Sequence, residues 1–351
     1  MADRTDGTER VLVLDLAATS RNWALPADAE RAIRDAAPEG WRIRTVRAPT
    51  SSDGDGAAAP SREALDAVRD AEVYFGFGIT RPLFVAAPVL RWVHSAAAGV
   101  RGALFPEMLA SPVLLTNSAG IHAIPIAETV IGGVLYLLRG LDMAVEQQRE
   151  GRWDKNRFVA DDSVLRELGD CQVLIVGTGG IGSEVARRAA AFGARCVGVR
   201  RHPARGTPAG FDRVAGPGVL DDELAAADVV VLAAPLTTET SGTLNAARID
   251  RLRRGAIVVN VARGALLDEA ALAAAVGAGR LRGAVLDVFR DEPLAADSPL
   301  WQLRSVLITP HVSPVSPGRF WPRQLELFLD NWRRYVGGAP LRNVVDKQSG
   351  Y

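Results

Sequence analysis

An α/β fold built on two doubly wound parallel sheets follows from three observations. Short aliphatic and β-branched runs alternate with helix-forming segments along the chain, the pattern of a parallel sheet covered by helices on both faces. A glycine-rich turn, "GTGGIG" at residues 177–182, stands between such a run and a helix. Length and composition, 351 residues at 48% hydrophobic, suffice for two ordinary cores.

The elements read in order. "RVLVLDL" is a first strand, followed by a helix near "DAERAIRDAA" and a second strand around "WRIRTVR". The segment "APTSSDGDGAAAP", residues 48–60, is rich in Pro, Gly, Ser and Asp and reads as a loop. "SREALDAVRD" is a helix with a serine cap and an acid in its first turn, the pairing of a capping box. "AEVYFGF", "RWVHSAA" and "PVLLTNS" are further strands, and residues 123 to about 150 form one long connecting helix. Six strands then follow: "CQVLIV", "CVGVRR", "ADVVVLAA", "GAIVVNVA", "GAVLDVF" and "SVLIT", a complete doubly wound sheet. One amphipathic segment, "RQLELFLDNWRRYV", occupies the last forty residues.

Composition excludes several classes. Lys+Arg and Asp+Glu balance at 41 each, so no polyanionic partner such as nucleic acid is implied. The two cysteines, Cys171 and Cys196, sit beside apolar runs and read as buried thiols of a reducing compartment; they cannot make a metal cluster. The acidic, polar start is unlike a signal peptide. The apolar run at 123–138 carries Glu128, Pro125 and two glycines, too short and interrupted for a membrane span. A cytoplasmic protein without membrane partner is expected.

The glycine turn fits G-x-G-x-x-G at Gly177, Gly179 and Gly182, in the strand–turn–helix context that a dinucleotide-binding (Rossmann) unit needs. The first glycine makes the tight turn, the second admits a pyrophosphate, and the third lets helix and strand pack. Backbone N–H groups at Gly180, Ile181 and Gly182 open the helix, where the unpaired donors and the dipole favour anions. Eighteen residues beyond Gly182, where an acid usually holds the adenosine ribose, stand Arg200 and Arg201. With the repulsive acid replaced by cations, NADP is the preferred cofactor and NAD is also accepted.

Three residues recur beside strand ends: Arg263 in "NVARGALLDE", Glu292 in "LDVFRDEPL" and His311 in "ITPHVSP". Ligands bind at the carboxyl ends of parallel strands, so the three can share one crevice. Arg supplies a planar fork for a carboxylate. His protonates a carbonyl oxygen as hydride arrives, and Glu keeps it charged near neutral pH. The set suits reduction of a 2-keto acid. Taken singly, each has a plainer role as a flank charge, a loop acid or a packed histidine.

The stretches "VLIVGTGGIG", "APLTTETSGTLNAARIDRLRRGAIVVNVARGALLDEAAL", "LDVFRDEPL", "SPLW" and "LITPHVSP" resemble the D-isomer-specific 2-hydroxyacid dehydrogenase family, over about residues 90 to 346. The resemblance implies two doubly wound, Rossmann/flavodoxin-like domains: a substrate domain, 1–118 and 313–351, into which a Rossmann cofactor domain, 119–312, is inserted. It implies that Pro235 and Thr240 line the cofactor, that Val261, Ala262 and Arg263 reach it, and that Asp287 holds the nicotinamide amide. His311 touches cofactor and substrate alike. The loop "SAAAGVRG" matches the segment that cradles the substrate carboxylate, which places Ala98 and Gly99 there. Arg101 departs from the family, which often has Asp at that place. The implied activity is hydride transfer to a small 2-keto acid in a homodimer, glyoxylate/hydroxypyruvate-type first and phosphoglycerate-type second. Arg81 in "FGFGITRPLF" is the nearby basic residue that a substrate phosphate would want. From another class, a dinucleotide-sensing co-repressor shares this fold. His94 and His122 read as structural.

Overall fold

A computed structural model describes residues 9–49, 59–161 and 163–350. Of these, the residues within Met1–Ile121 and Ser316–Tyr351 form one compact unit, and those within His122–Val315 form the other. Most of the glycine- and serine-rich loop expected at 48–60 lies outside the described residues.

The first unit is a five-stranded parallel sheet. Its strands are β1 (Arg10–Asp15), β2 (Trp41–Thr45), β3 (Ala71–Gly76), β4 (Trp92–Ser95) and β5 (Leu114–Thr116), in the order β2-β1-β3-β4-β5. This is the flavodoxin-like order, with the chain reversing direction across the sheet beside β1. From Val11 onward β1 is fully buried, as its continuous aliphatic run requires in a sheet covered on both faces. One face is closed by the helix Phe320–Val336, whose Phe328 stacks on Phe75 with ring centroids 4.1 Å apart. Trp332 of that helix is buried and donates its indole N–H to the Ala36 carbonyl at 3.0 Å.

Ser61 caps the helix Arg62–Ala67 by accepting from the Ala64 N–H at 3.0 Å. The capping box does not form. Glu63 stands two residues past the cap rather than three, and its carboxylate instead accepts from the N–H groups of Arg47 and Ala48.

The second unit is a seven-stranded parallel sheet. Its strands are β6 (Gln172–Val176), β7 (Arg195–Val199), β8 (Arg213–Ala215), β9 (Val229–Leu232), β10 (Ile257–Asn260), β11 (Gly283–Leu286) and β12 (Val306–Ile308). The order is β12-β11-β10-β9-β6-β7-β8, so the chain switches direction between β6 and β9. Six strands were expected; the seventh, β8, is a three-residue edge strand on β7, too short to show any apolar periodicity. The single helix expected over 123–150 is two, Ala123–Leu138 and Leu141–Arg149, meeting at 71°. Gly140 between them has φ 66°, a left-handed conformation that ends an α-helix. Among the described residues no single helix is long and apolar enough to cross a membrane. Cys171 and Cys196 are buried and free, and burial pushes the Cys196 thiol up to about 12.

Candidate functional site

The carboxyl ends of β6, β7 and β9 form one half of the site. Gly177 follows β6 with φ 100°, and a Cβ there would press on the Ala233–Ala234 peptide at 2.6 Å. Gly182 lies so close to the turn that a Cβ would collide with the Gly177 carbonyl oxygen. At Gly179, by contrast, nothing stands within 4 Å of an added Cβ. The turn is therefore closed on the protein side and open on the other, as an approaching phosphate needs. The helix Gly180–Ala191 begins here without a side-chain cap, and the N–H groups of Gly180, Ile181 and Gly182 have no acceptor among the described residues.

Arg200 and Arg201 follow β7 and differ in their surroundings. Arg200 donates to the Thr178 hydroxyl at 3.3 Å and to the carbonyls of Pro203 and Gly206, all neutral acceptors. Its Nε–H is buried and has no acceptor among the described residues. Arg201 pairs with Glu239 at 3.1 Å. Glu239 belongs to the loop after β9, which also carries Pro235 and Thr240. The Thr240 hydroxyl donates to the Pro235 carbonyl at 2.6 Å and accepts from the Thr237 N–H at 2.8 Å.

The ends of β10, β11 and β12 form the other half. Val261 and Ala262 are buried where β10 ends, and the Ala262 N–H donates to Asn260 Oδ1 at 3.2 Å. Asn260 Nδ2 donates to the Arg263 carbonyl at 3.0 Å, so a fully buried amide shapes the turn that carries Arg263. One Arg263 Nη donates to the Ala262 carbonyl at 2.7 Å. A Cβ on Gly264 would run into the Phe289–Arg290 backbone, so the turn of Arg263 lies against the segment leading to Glu292.

Glu292 Oε2 lies 2.8 Å from His311 Nδ1, and Oε1 accepts from the Phe289 N–H at 2.9 Å. The His311 side chain is 45% exposed, and Nε2 has no acceptor among the described residues. His311 adopts φ 52°, uncommon for a residue with a side chain. Asp287 holds this conformation. Its carboxylate, 1% exposed, accepts from the Thr309 hydroxyl at 2.6 Å, the Val312 N–H at 2.9 Å and both the N–H and hydroxyl of Ser313. The Asp287 carbonyl accepts the His311 N–H at 2.9 Å. Thr309, Ser313 and Glu239 are not evident from sequence because each has a partner beyond another strand's end; Asn260 bonds within its own turn, and an Asn closing a strand in "VVNVARG" is its one local hint.

In the first unit, Ala98 and Gly99 follow β4. Asn117 Nδ2 fixes the Ala98 carbonyl at 2.8 Å, and the N–H groups of Ala98 and Gly99 have no acceptor among the described residues. His94 is buried inside β4, with Nδ1 2.7 Å from the Thr116 hydroxyl and Nε2 3.2 Å from Gln324 Nε2. Burial lowers its pKa to about 3, a neutral packed histidine. His122, in the second unit, places Nδ1 3.2 Å from the Pro314 carbonyl.

A glycine turn open to solvent, an uncapped helix start and an orphaned arginine N–H at the ribose position fit a dinucleotide with its phosphates at Gly180–Gly182. Fold and site thus define a dinucleotide-binding α/β protein. The chain belongs to the D-isomer specific 2-hydroxyacid dehydrogenase family, whose NAD binding domain matches residues 131–313. The D-3-phosphoglycerate dehydrogenase of Mycobacterium tuberculosis is 36% identical over 258 residues, 73% of this chain and 46% of that protein. The glyoxylate reductase of Korarchaeum cryptofilum is 31% identical over 305 residues, 83% of this chain and 88% of that one. A D-isomer specific 2-hydroxyacid dehydrogenase from Xanthobacter autotrophicus Py2, solved in complex with NADPH and MES, is 30% identical with a TM-score of 0.77, over 97% of this chain and 99% of that one. The chain spans about half the length of the phosphoglycerate dehydrogenases it matches.

Proposed function

We propose that this chain is an NAD(P)-dependent oxidoreductase that transfers hydride between the nicotinamide and a small 2-keto acid or D-2-hydroxy acid, of glyoxylate or hydroxypyruvate type. The observation that carries the reading is the Glu292–His311 pair, at the edge of the sheet that also carries the glycine turn. The nicotinamide, when bound, supplies or takes the hydride. His311 Nε2 gives the keto oxygen its proton, while Glu292 holds Nδ1 and fixes the ring. Arg263 pairs its guanidinium with the substrate carboxylate and polarises the adjoining carbonyl. In the first unit the open N–H groups of Ala98 and Gly99 are donors for a carboxylate. Gly177 to Gly182, Pro235, Thr240, Val261, Ala262 and Asp287 line the dinucleotide. NADP is preferred, because Arg200 offers a cation that no carboxylate among the described residues neutralises.

The phosphoglycerate-type reading ranks second despite the identity to those enzymes. Arg81, the basic residue it would use, is engaged by Glu107, with Nε to Oε1 at 2.7 Å. A homodimer belongs to the same proposal and is read by light scattering.

The test follows NADPH and NADH oxidation optically across glyoxylate, hydroxypyruvate, pyruvate, phenylpyruvate and 2-oxoglutarate. Turnover of at least one keto acid is expected. Cofactor binding with no turnover on any of them would replace the enzyme by a dinucleotide sensor.

A further inference from the structure

We propose that Glu239 and Arg201 form a strap across the adenosine end of the dinucleotide site, and that Glu239 sets how strongly a 2′-phosphorylated cofactor is preferred. The inference rests on the dinucleotide reading above and goes beyond it to a residue that opposes the two arginines.

Strand order carries the argument. β6 lies between β7 and β9, and its carboxyl end bears the glycine turn. Arg201 follows β7 and Glu239 belongs to the loop after β9, so their 3.1 Å ion pair crosses over the end of β6. Neighbouring strands are about 4.8 Å apart, so the pair bridges roughly 10 Å. Two long side chains span that gap, on the side of the turn where the dinucleotide's ribose must lie.

Glu239 is held for this role. The Thr237 hydroxyl donates to its carboxylate at 2.7 Å, and the Thr237–Thr240 contacts close the loop beneath it. That hydrogen bond, with Arg201 as a lesser cause, keeps the carboxyl below the usual glutamate range, hence ionised at neutral pH. Both partners are solvent-accessible, at 38% and 68% for the side chains, so the pair opens readily.

The two arginines are therefore not equivalent. Arg200 presents a standing charge on neutral acceptors, whereas the charge of Arg201 is already matched. A 2′-phosphate must draw Arg201 away from Glu239 and then sit beside the carboxylate left behind. A cofactor with a plain ribose 2′-hydroxyl meets neither obstacle. Glu239 thus moderates the preference that Arg200 and Arg201 create, and a substitution there shifts cofactor choice without touching the catalytic groups.

The experiment measures dissociation constants of NADP+ and NAD+ for the full chain by titration calorimetry, in wild type, Glu239→Gln, Arg201→Gln and the double variant. Glu239→Gln is expected to raise the NADP+ to NAD+ affinity ratio about three- to tenfold, the range for one exposed charge contact. In the Arg201→Gln background the same change should have a smaller effect, because the competition is gone. Equal effects on both cofactors, or full additivity of the two substitutions, overturn the strap. A wild type that prefers NAD+ overturns the cofactor preference proposed above but leaves the strap standing if Glu239→Gln still moves the ratio. Wild type that binds neither dinucleotide overturns both.

Discussion

Glu292 divides its two carboxylate oxygens between His311 Nδ1, at 2.8 Å, and the backbone N–H of Phe289, at 2.9 Å. The second contact ties the carboxylate to its own loop, so the imidazole is oriented by a fixed group. His311→Asn should lower kcat by about 10²- to 10⁴-fold with cofactor affinity retained. Glu292→Gln keeps a hydrogen-bonding group and should fall less, by about 10- to 100-fold. Stopped-flow and steady-state rates on the best keto acid check both; a Glu292→Gln enzyme at wild-type rate removes Glu292 from the chemistry.

Arg263→Lys keeps the charge at the end of β10 but loses the planar fork. Both KM and kcat should deteriorate, with kcat/KM down about 100-fold. If the lysine enzyme matches wild type on every accepted substrate, carboxylate pairing belongs to another group.

Arg200→Asp places an anion where the structure offers a cation held by neutral acceptors. The kcat/KM for NADPH should fall about 100-fold, the worth of one or two charge-assisted hydrogen bonds, while NADH efficiency holds or rises. Parallel losses with both cofactors would make Arg200 a structural residue of its loop.

Asp287→Asn is predicted to destabilise the second unit by about 2–4 kcal/mol, read from chemical denaturation. The buried carboxylate meets donors on both oxygens, and an amide would turn N–H groups towards the Ser313 or Thr309 donors. The loop of His311 should loosen with it, so kcat ought to drop in protein that is still folded.

His94 makes the first unit acid-sensitive. Folded, its pKa is depressed to about 3, against 6.5 for the free side chain. As pH falls from 6.5 towards 3, the unfolded chain takes up a proton that the folded chain refuses. Stability is therefore lost through that window, at up to about 1.4 kcal/mol per pH unit. Denaturation midpoints at pH 7 and pH 5 should differ less for His94→Gln than for wild type.

What the sequence discloses divides by distance along the chain. The glycine turn is legible because strand, turn and helix occupy one short stretch, and each glycine answers a local demand at Gly177 or Gly182. Arg263, Glu292 and His311 can be placed at strand ends because their flanking runs are plainly strands. The edge strand Arg213–Ala215 is hidden, since three residues show no period. Gly140 is visible as a glycine but not as a 71° corner, because helix-forming residues on both sides read equally well as one helix. The tethering of residues 309–313 by Asp287, and of Arg201 by Glu239, joins loops of different strands. Only the strand order brings those partners together.

The helix Phe320–Val336 completes the core of a sheet whose strands all lie before residue 117. On the ribosome, Leu12, Leu14, Phe75 and Trp92 emerge between 236 and 320 residues ahead of Phe328 and Trp332, which pack on them. The second unit is contiguous in sequence, so all its strands are synthesised while the first sheet still waits for its lid of aromatics. During that interval the earlier-made half presents a hydrophobic face that only the helix Ala27–Asp35 partly covers, the kind of surface that chaperones hold and that misassembles when they do not. Birth order and finishing order are thus reversed in this chain: the part translated first is the last able to close.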